Sequence, residues 1–427
     1  MAASRYNPLP ADRSCMNTAL AALFNPQTWP FRPESLPEGA CLVGGAVRDA
    51  LLGRLTEPLD LDWVVPTGAV ETARTLARQH QAGFVLLDAE RQIARVVFPS
   101  MTVDFAQQEG DRLEQDLQRR DFTINAIAYD WQRCRLIDPL GGQADLEQGL
   151  LRMIAPDNLV ADPLRLLRAY RQAAQLELEI EPETAAAIAQ LAPLLPQVAG
   201  ERIWAELQRL LNVPPPHPIL VEAIASGLLT PWFPEASVDC LAAIADHWRQ
   251  LQAQVPDWAD WFTPIGPGGR LSYLAYAWLT CLLPRDRDRA QQVLLALKSS
   301  RAEQRSLLQL QQHWQECQAG TAATTAGQVA LFQTLGDLVP ALLLQLEAGD
   351  LRQTLLRRYQ TPNDPIAHLQ PLVSGTDLQV SLGIRSGPHL GQLLQDLRVA
   401  QAEQQFCDRA GAIAFAARWL QETSLPQ

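Results

Sequence analysis

The sequence predicts an α+β protein, with a mixed sheet in the N-terminal third and an all-helical remainder. Two observations predict it. Short apolar runs with strand-like alternation are confined to the first ~140 residues, where they mix with two helical segments. From Leu151 onward, apolar residues recur almost everywhere at helical spacing instead. The 427 residues allow several domains. Proline and glycine clusters punctuate the chain, notably Pro214-Pro215-Pro216 and 264–269. The residues by themselves divide into a lead with a short helix, a sheet-bearing region and a helical remainder of two or three subdomains.

Taken in order, Met16 to Phe24 reads as a short helix and 25–37 as a proline-rich connector. Cys41-Leu42-Val43 is a short strand closed by Gly44-Gly45. Ala46 to Leu52 has helical spacing and stops at Gly53. Leu59 to Val65 alternates as a strand, so Asp60 and Asp62 share one face with Cα atoms about 6–7 Å apart. Val70 to Gln79 is helical, and 84–87, 93–98 and 101–105 are three further strands, the last carrying Asp104. Arg119 to Ala126 is a dense polar cluster against an apolar helical run, and Asp138 to Asp145 is a turn entering a helix. Asp162 and Pro163 suit an N-cap and a first helical residue. Arg165, Arg168 and Arg171 then recur every three residues on one stripe of that helix, which runs to Leu176. Later helices read over 183–195, 201–211, 237–254, 271–283, 289–297, 301–318, 325–335 and 338–346, without a repeat period. A further helix is expected after Gly387-Pro388.

Hydrophobic residues make up 47% and charged residues 19% of the chain, which excludes global disorder. A net charge of −12 argues against a general polyanion-binding surface but leaves room for a local basic cleft. Lys298 is the single lysine; arginine supplies the other cations, and its planar fork suits phosphate. The seven cysteines are scattered, odd in number and free of any Cys-x-x-Cys, so neither a zinc framework nor a disulfide scaffold is expected. The N-terminus lacks a secretory apolar core, and no run of about twenty apolar residues follows. The expectation is a soluble, cytoplasmic protein with no membrane partner.

Two carboxylates on one strand face repel unless a cation sits between them. Hard divalent cations such as Mg²⁺ prefer such oxygens and keep a place for substrate phosphates. Asp60 and Asp62 are therefore candidate metal ligands, beside a glycine turn that feeds a helix bearing Arg48. Asp104 is a third acid that would complete a metal-binding or base-like triad. Arg120 and Asn125 are candidates for phosphate or ribose contact, with a surface salt-bridge patch as the alternative. The arginine stripe requires an anion or an acid opposite it, which favours a phosphate-facing stripe over a solvated face, with a set of salt bridges as the alternative.

Six ordered stretches carry a resemblance: LVGGAVRDALLGR (42–54), LDLDWVV (59–65), RRDFTINAIA (119–128), DPLGGQADL (138–146), DPLRLLRAYRQAA (162–174) and GERIWAEL (200–207). A weaker tail match covers 374–398. As a set they are similar to the class II tRNA nucleotidyltransferase/bacterial poly(A) polymerase family, within the polymerase-β-type nucleotidyltransferase superfamily. The resemblance implies a lead with a short helix (1–37), a nucleotidyltransferase catalytic head (38–150), a helical neck with the nucleotide-base pocket (151–213), a helical body (214–365) and a helical tail (366–427). It implies Gly44, Gly45 and Arg48 at a nucleotide triphosphate, Mg²⁺ on Asp60 and Asp62, and Arg120 at the nucleotide. It also implies Asp162, Arg165, Arg168 and Arg171 lining the nucleotide pocket, and a tRNA-binding tail.

The implied reaction is Mg²⁺-dependent attack of an RNA 3′-hydroxyl on the α-phosphate of CTP or ATP, releasing pyrophosphate. Cytosine and adenine share an amino donor beside a ring acceptor, which a carboxylate next to a guanidinium would accept. Uracil and guanine reverse that order and would leave buried groups unpaired. Within this class the alternatives are CCA addition to tRNA, CC addition alone, and poly(A) addition to general RNA. An inactive RNA-binding module is the alternative outside it. No protein partner is expected. Two departures matter. Ala161 stands where the family usually has Glu, and only 105–118 separates Asp104 from Arg119. A short segment there resembles members that add CC alone.

Overall fold

The computed structural model describes residues 25, 27, 29–54, 59–213, 217–236, 238–255, 261, 263–266 and 269–423. The helix expected at 16–24 lies outside them. The chain divides into two compact units, one of 1–210 with 225–228 and the other of 211–224 with 229–427.

In the first unit, strands β1 (Cys41–Val43), β2 (Asp60–Val65), β3 (Gly83–Asp88), β4 (Ile93–Val97), β5 (Thr102–Gln107), β6 (Ala128–Asp130) and β7 (Arg135–Ile137) form one sheet. Its order is β3-β4-β5-β2-β1-β6-β7. β2 and β5 run parallel and the other neighbours antiparallel, so the sheet is mixed. The period of two splits its side chains cleanly. Leu61, Trp63, Val103, Phe105, Ala94 and Val96 are buried on one face. The Ala69–His80 helix covers that face with Ala73, Leu76 and Ala77. Trp29 and Phe31 close its end, with Trp29 edge-on to Trp63 at 5.1 Å between ring centroids. The opposite face carries Asp60, Asp62 and Asp104, then Val43, Val64, Cys41 and Ala128, which pack under Leu117.

Four short strands and two short helical segments depart from the sequence reading. β6 and β7 were not marked by alternation, because each is three residues long and β6 lies within a continuous apolar run. The apolar stretch after Arg120 is a single 3-10 turn, Thr123–Asn125, and not a helix, since β6 begins at Ala128. In the neck, a two-stranded parallel pair, Leu150–Leu151 with Glu179–Ile180, interrupts the expected all-helical region. It ties the chain before the Leu164–Leu176 helix to the chain after it. The Pro156–Ala161 helix is a further short addition.

The second unit is helical. Its expected helices are present as Val238–Gln254, Tyr273–Leu282, Arg287–Ala296, Arg301–Gln318, Thr325–Leu335 and Val339–Gln345. The Asp350–Gln360, Gly375–Leu382, Pro388–Ala402 and Arg409–Glu422 helices complete it. Ser300 and Ser374 each open a helix with a capping box, through Glu303 and Asp377. The last three helices bury Leu378, Leu393, Leu397, Ala412 and Ala416 in a small core of their own. Thr325–Gln345 is long and apolar enough to cross a membrane by length and composition, yet most of it is buried, and it breaks at the 3-10 turn Gly336–Leu338. Cys240 and Cys281 form a disulfide between two helices, with Cα atoms 6.2 Å apart. Their distance in sequence hid that pairing.

Candidate active site

The parallel register of β2 and β5 sets Asp62 directly beside Asp104, and the antiparallel register of β1 sets Val43 beside Asp62. The turn that follows Val43 is therefore delivered to the acids. Gly44 has φ +76°, and a Cβ there would lie 3.4 Å from Asp62 Oδ2 and 3.5 Å from Arg120 Nη1. Those are ordinary contact distances, so it is the positive φ that calls for glycine. Gly45 starts the Gly45–Leu51 helix, and Arg48 lies one turn along it.

The acids differ in their surroundings. Asp60 is exposed and accepts a hydrogen bond from the Thr102 hydroxyl. Asp62 is half-buried, and its carboxyl is pushed up to about 6 by burial and by the neighbouring Asp104 and Asp60, with Arg120 and Arg95 opposing. Asp104 accepts a two-pronged bond from Arg95 on β4, at 2.7 and 2.8 Å. Among the described residues no group of three His, Cys, Asp or Glu side chains is arranged to hold a metal ion. The donor set fits a hard divalent cation all the same: Asp60 and Asp62 present carboxylate oxygens on one strand face, and Asp62 is destabilised as an anion by its like-charged neighbours. The third acid is held by Arg95 rather than standing free beside the other two.

Asp116, at 1% exposure, gathers the cations of the next segment. It accepts from Arg119 at 3.1 Å and from Arg120 at 3.1 Å. Arg120 Nε is buried and has no partner among the described residues, a donor that an anion would satisfy. Asp121 is buried at 6%. Burial alone would raise its carboxyl, but the Arg168 guanidinium, the Asn125 amide and the Phe122 backbone N–H outweigh it and hold it below the usual range. Arg168 donates to Asp121 Oδ2 through Nε at 3.1 Å and Nη2 at 3.0 Å.

The arginine stripe thus faces protein groups. Arg168 meets Asp121, Arg171 meets the buried Glu206 on the Gly200–Leu211 helix, and Arg165 donates to the Arg119 and Asn158 carbonyls at 2.8 and 3.0 Å. Of the two ways to face the stripe, salt bridges and carbonyls are the ones present. Asp162 accepts from the Leu164 N–H at 3.3 Å and pairs with Arg202 at 3.0 Å, but the helix's N-cap is Pro163, one residue later than the sequence predicts. Ala161 is exposed at the end of the preceding helix. Asn125 is buried at 6% and bonded to Arg48, Asp121 and Gln172. Gly44, Asp60, Asp62, Asp104 and Arg120 are linked through the registers and contacts of one sheet face, while Arg48 turns to Asp49, Asn125 and Gln172. Asp121 carries Arg168, and Asn158 ties Arg165 to the Arg119–Arg120 loop.

Sequence reasoning missed Asp116, Gln172 and Glu206. Asp116 had a signal, lying four residues before Arg120 on a short helix. Glu206 sat within the quoted GERIWAEL, and Gln172 within RAYRQAA, but nothing local marks either as a partner of a distant arginine.

Three family descriptions match: "Poly A polymerase head domain" over residues 40–152, "Probable RNA and SrmB- binding site of polymerase A" over 177–240, and "tRNA nucleotidyltransferase domain 2" over 271–416. The chain is 44% identical over 402 residues to a CC-adding tRNA nucleotidyltransferase of Synechocystis sp., covering 91% of this chain and 96% of that one. It is 34% identical to a CC-adding tRNA nucleotidyltransferase of Geobacter sulfurreducens, covering 89% and 92%. It is 33% identical to an A-adding tRNA nucleotidyltransferase of Deinococcus radiodurans, covering 91% and 97%. Its fold matches a solved complex of a CCA-adding enzyme with CTP, with TM-score 0.68 and 21% identity, covering 98% and 96%.

Proposed function

The chain belongs to the tRNA nucleotidyltransferase family, and we propose that it adds nucleotides from CTP to the 3′ end of tRNA, stopping at CC. The observation that carries the nucleotidyl-transfer reading is the placement of Asp60 and Asp62 beside the Gly44 turn and Arg120 on one sheet face. Members of this family generally use a divalent metal ion. Here Mg²⁺ would be held by Asp60 and Asp62, and when bound it would stabilise charge on the transferring phosphoryl group and the leaving pyrophosphate. The chain's own residues supply the positioning on which phosphoryl transfer depends. Arg48 and Arg120 would take the polyphosphate, with the tight glycine turn letting it approach the backbone. Asp104, fixed by Arg95, would accept a hydrogen bond from the attacking hydroxyl and align it. Asp162 and Arg165, at the start of the Leu164–Leu176 helix, would read the amino donor and ring acceptor of the base.

Two observations support the restriction to CC. The most similar relatives named above are CC-adding at 44% and 34% identity. The segment after Asp104 is short: β5 ends at Gln107 and the next helix begins at Leu113. Such a segment has little freedom to let the pocket change from cytosine to adenine. The helical tail, 366–427, is proposed to bind tRNA.

The test is incubation with tRNA ending before its CCA, in CTP, in ATP and in both, followed by sequencing of the 3′ ends. The expected product with both nucleotides is CC. Full CCA would remove the restriction, and a long A tract would remove the tRNA reading altogether.

A further inference from the structure

We propose that Gln172 and Asn125 form a buried positioning relay that orients the Arg48 guanidinium and joins it to the arginine-bearing neck helix. The inference deepens the reading above and rests on it for the role of Arg48. Asn125 and Gln172 are 6% and 2% exposed, the one on the 3-10 turn after the Arg119–Arg120 loop, the other on the Leu164–Leu176 helix. Arg48 Nη1 donates to Asn125 Oδ1 at 2.7 Å and to Gln172 Oε1 at 3.4 Å. Asn125 Nδ2 donates to Asp121 Oδ1 and to Gln172 Oε1, both at 2.9 Å. Gln172 Nε2 points back to Asp121 Oδ2 at 3.5 Å, the oxygen that also receives Arg168.

The chemistry of the end groups forces this arrangement. An arginine can only donate and an ionised aspartate can only accept. Asn125 stands between Arg48 and Asp121, so its oxygen must face the arginine and its amide nitrogen the aspartate. The same logic orients Gln172. Both N–H groups of Asn125 are then used inside the protein, so Asn125 sets Arg48 rather than touching the nucleotide. Asp49 holds the Nε and Nη2 edge of Arg48 at 2.8 Å, so the two amides set the Nη1 edge; because they are buried, loss of either leaves the other unsatisfied and frees that edge of Arg48. Arg168 hangs on the far side of Asp121, so the triphosphate grip and the neck helix share one set of bonds.

The test is Gln172→Leu, close in size and without polar atoms. Binding of CTP and of pyrophosphate, each with Mg²⁺, is measured by titration calorimetry, and the KM for tRNA by steady-state addition. The relay predicts that both ligands weaken by about tenfold, because pyrophosphate reports the triphosphate grip without a base. The tRNA KM and the circular dichroism spectrum stay as in the parent. In an Arg48→Ala background, Gln172→Leu should weaken pyrophosphate no further. Unchanged pyrophosphate binding, or losses that simply add across the two variants, would overturn the relay. Should Gln172→Leu not fold, Gln172→Met carries the same measurements. A parent protein that binds CTP but extends no tRNA overturns the proposed function and leaves this binding test intact; one that binds neither ligand overturns both.

Discussion

At the residue scale, Asp62 costs the fold stability at the place where a metal ligand is proposed. Its carboxyl is raised to about 6 by burial and by Asp104 and Asp60. The folded chain therefore holds that proton more tightly than the unfolded chain, whose aspartates ionise near 4. Folding is penalised progressively as pH rises from about 4 through 6, and the penalty is complete above that. Asp62→Asn removes the charge. Its expected effect is a gain of about 1–2 kcal/mol at pH 8 that vanishes near pH 4, read as the difference in thermal midpoint at the two pH values. On its proposed role as a metal ligand, the same change should lower nucleotide addition by roughly 10³-fold or more, measured by single-turnover incorporation from CTP. A variant neither stabilised at pH 8 nor impaired in transfer would contradict the placement of this acid.

At the scale of elements, the neck helix Leu164–Leu176 is held to the head by Asp121. Its apolar side buries Leu166, Leu167, Ala169 and Tyr170, while its arginines meet Asp121 and Glu206 on the other side. A buried carboxylate that loses its partners is costly, and so is a guanidinium left without its acid. Asp121→Ala should destabilise the protein by about 2–3 kcal/mol, the part exposure of Arg168 tempering the full penalty. The stabilisation from Asp121 has the opposite pH sign to that of Asp62. Its carboxyl lies below the usual range, so its contribution is present above about pH 4 and is lost as pH falls through the lowered value. Thermal melts of the parent and Asp121→Ala should converge in acid and separate at neutral pH.

At the scale of the molecule, the two units are held by different means. The first has a seven-stranded sheet between helices. The second is a set of helices, within which Cys240 and Cys281 are joined across 41 residues of sequence. Closing a loop of that length removes unfolded-state entropy worth about 3–4 kcal/mol. Thiol reductant should therefore lower the melting temperature, and Cys240→Ser should remove that sensitivity. A parent whose melting is the same with and without reductant would show that the bond makes no such contribution.

The sequence by itself determined the head's main strands, the glycine turn, the acid pair on one face and most of the helices. These signals are local: side chains two apart on a strand, or three and four apart on a helix, meet or share a face whatever surrounds them. Six ordered stretches also sufficed to point to the family. The tertiary structure alone decided which group each arginine faces. Arg171 finds Glu206 across 35 positions of sequence, and Arg48 reaches Gln172 across 124. It likewise decided that Asn125 is enclosed among side chains, that β6 and β7 extend the sheet, and that Cys240 lies beside Cys281. Such pairings depend on how elements pack, and no periodicity in the chain encodes them.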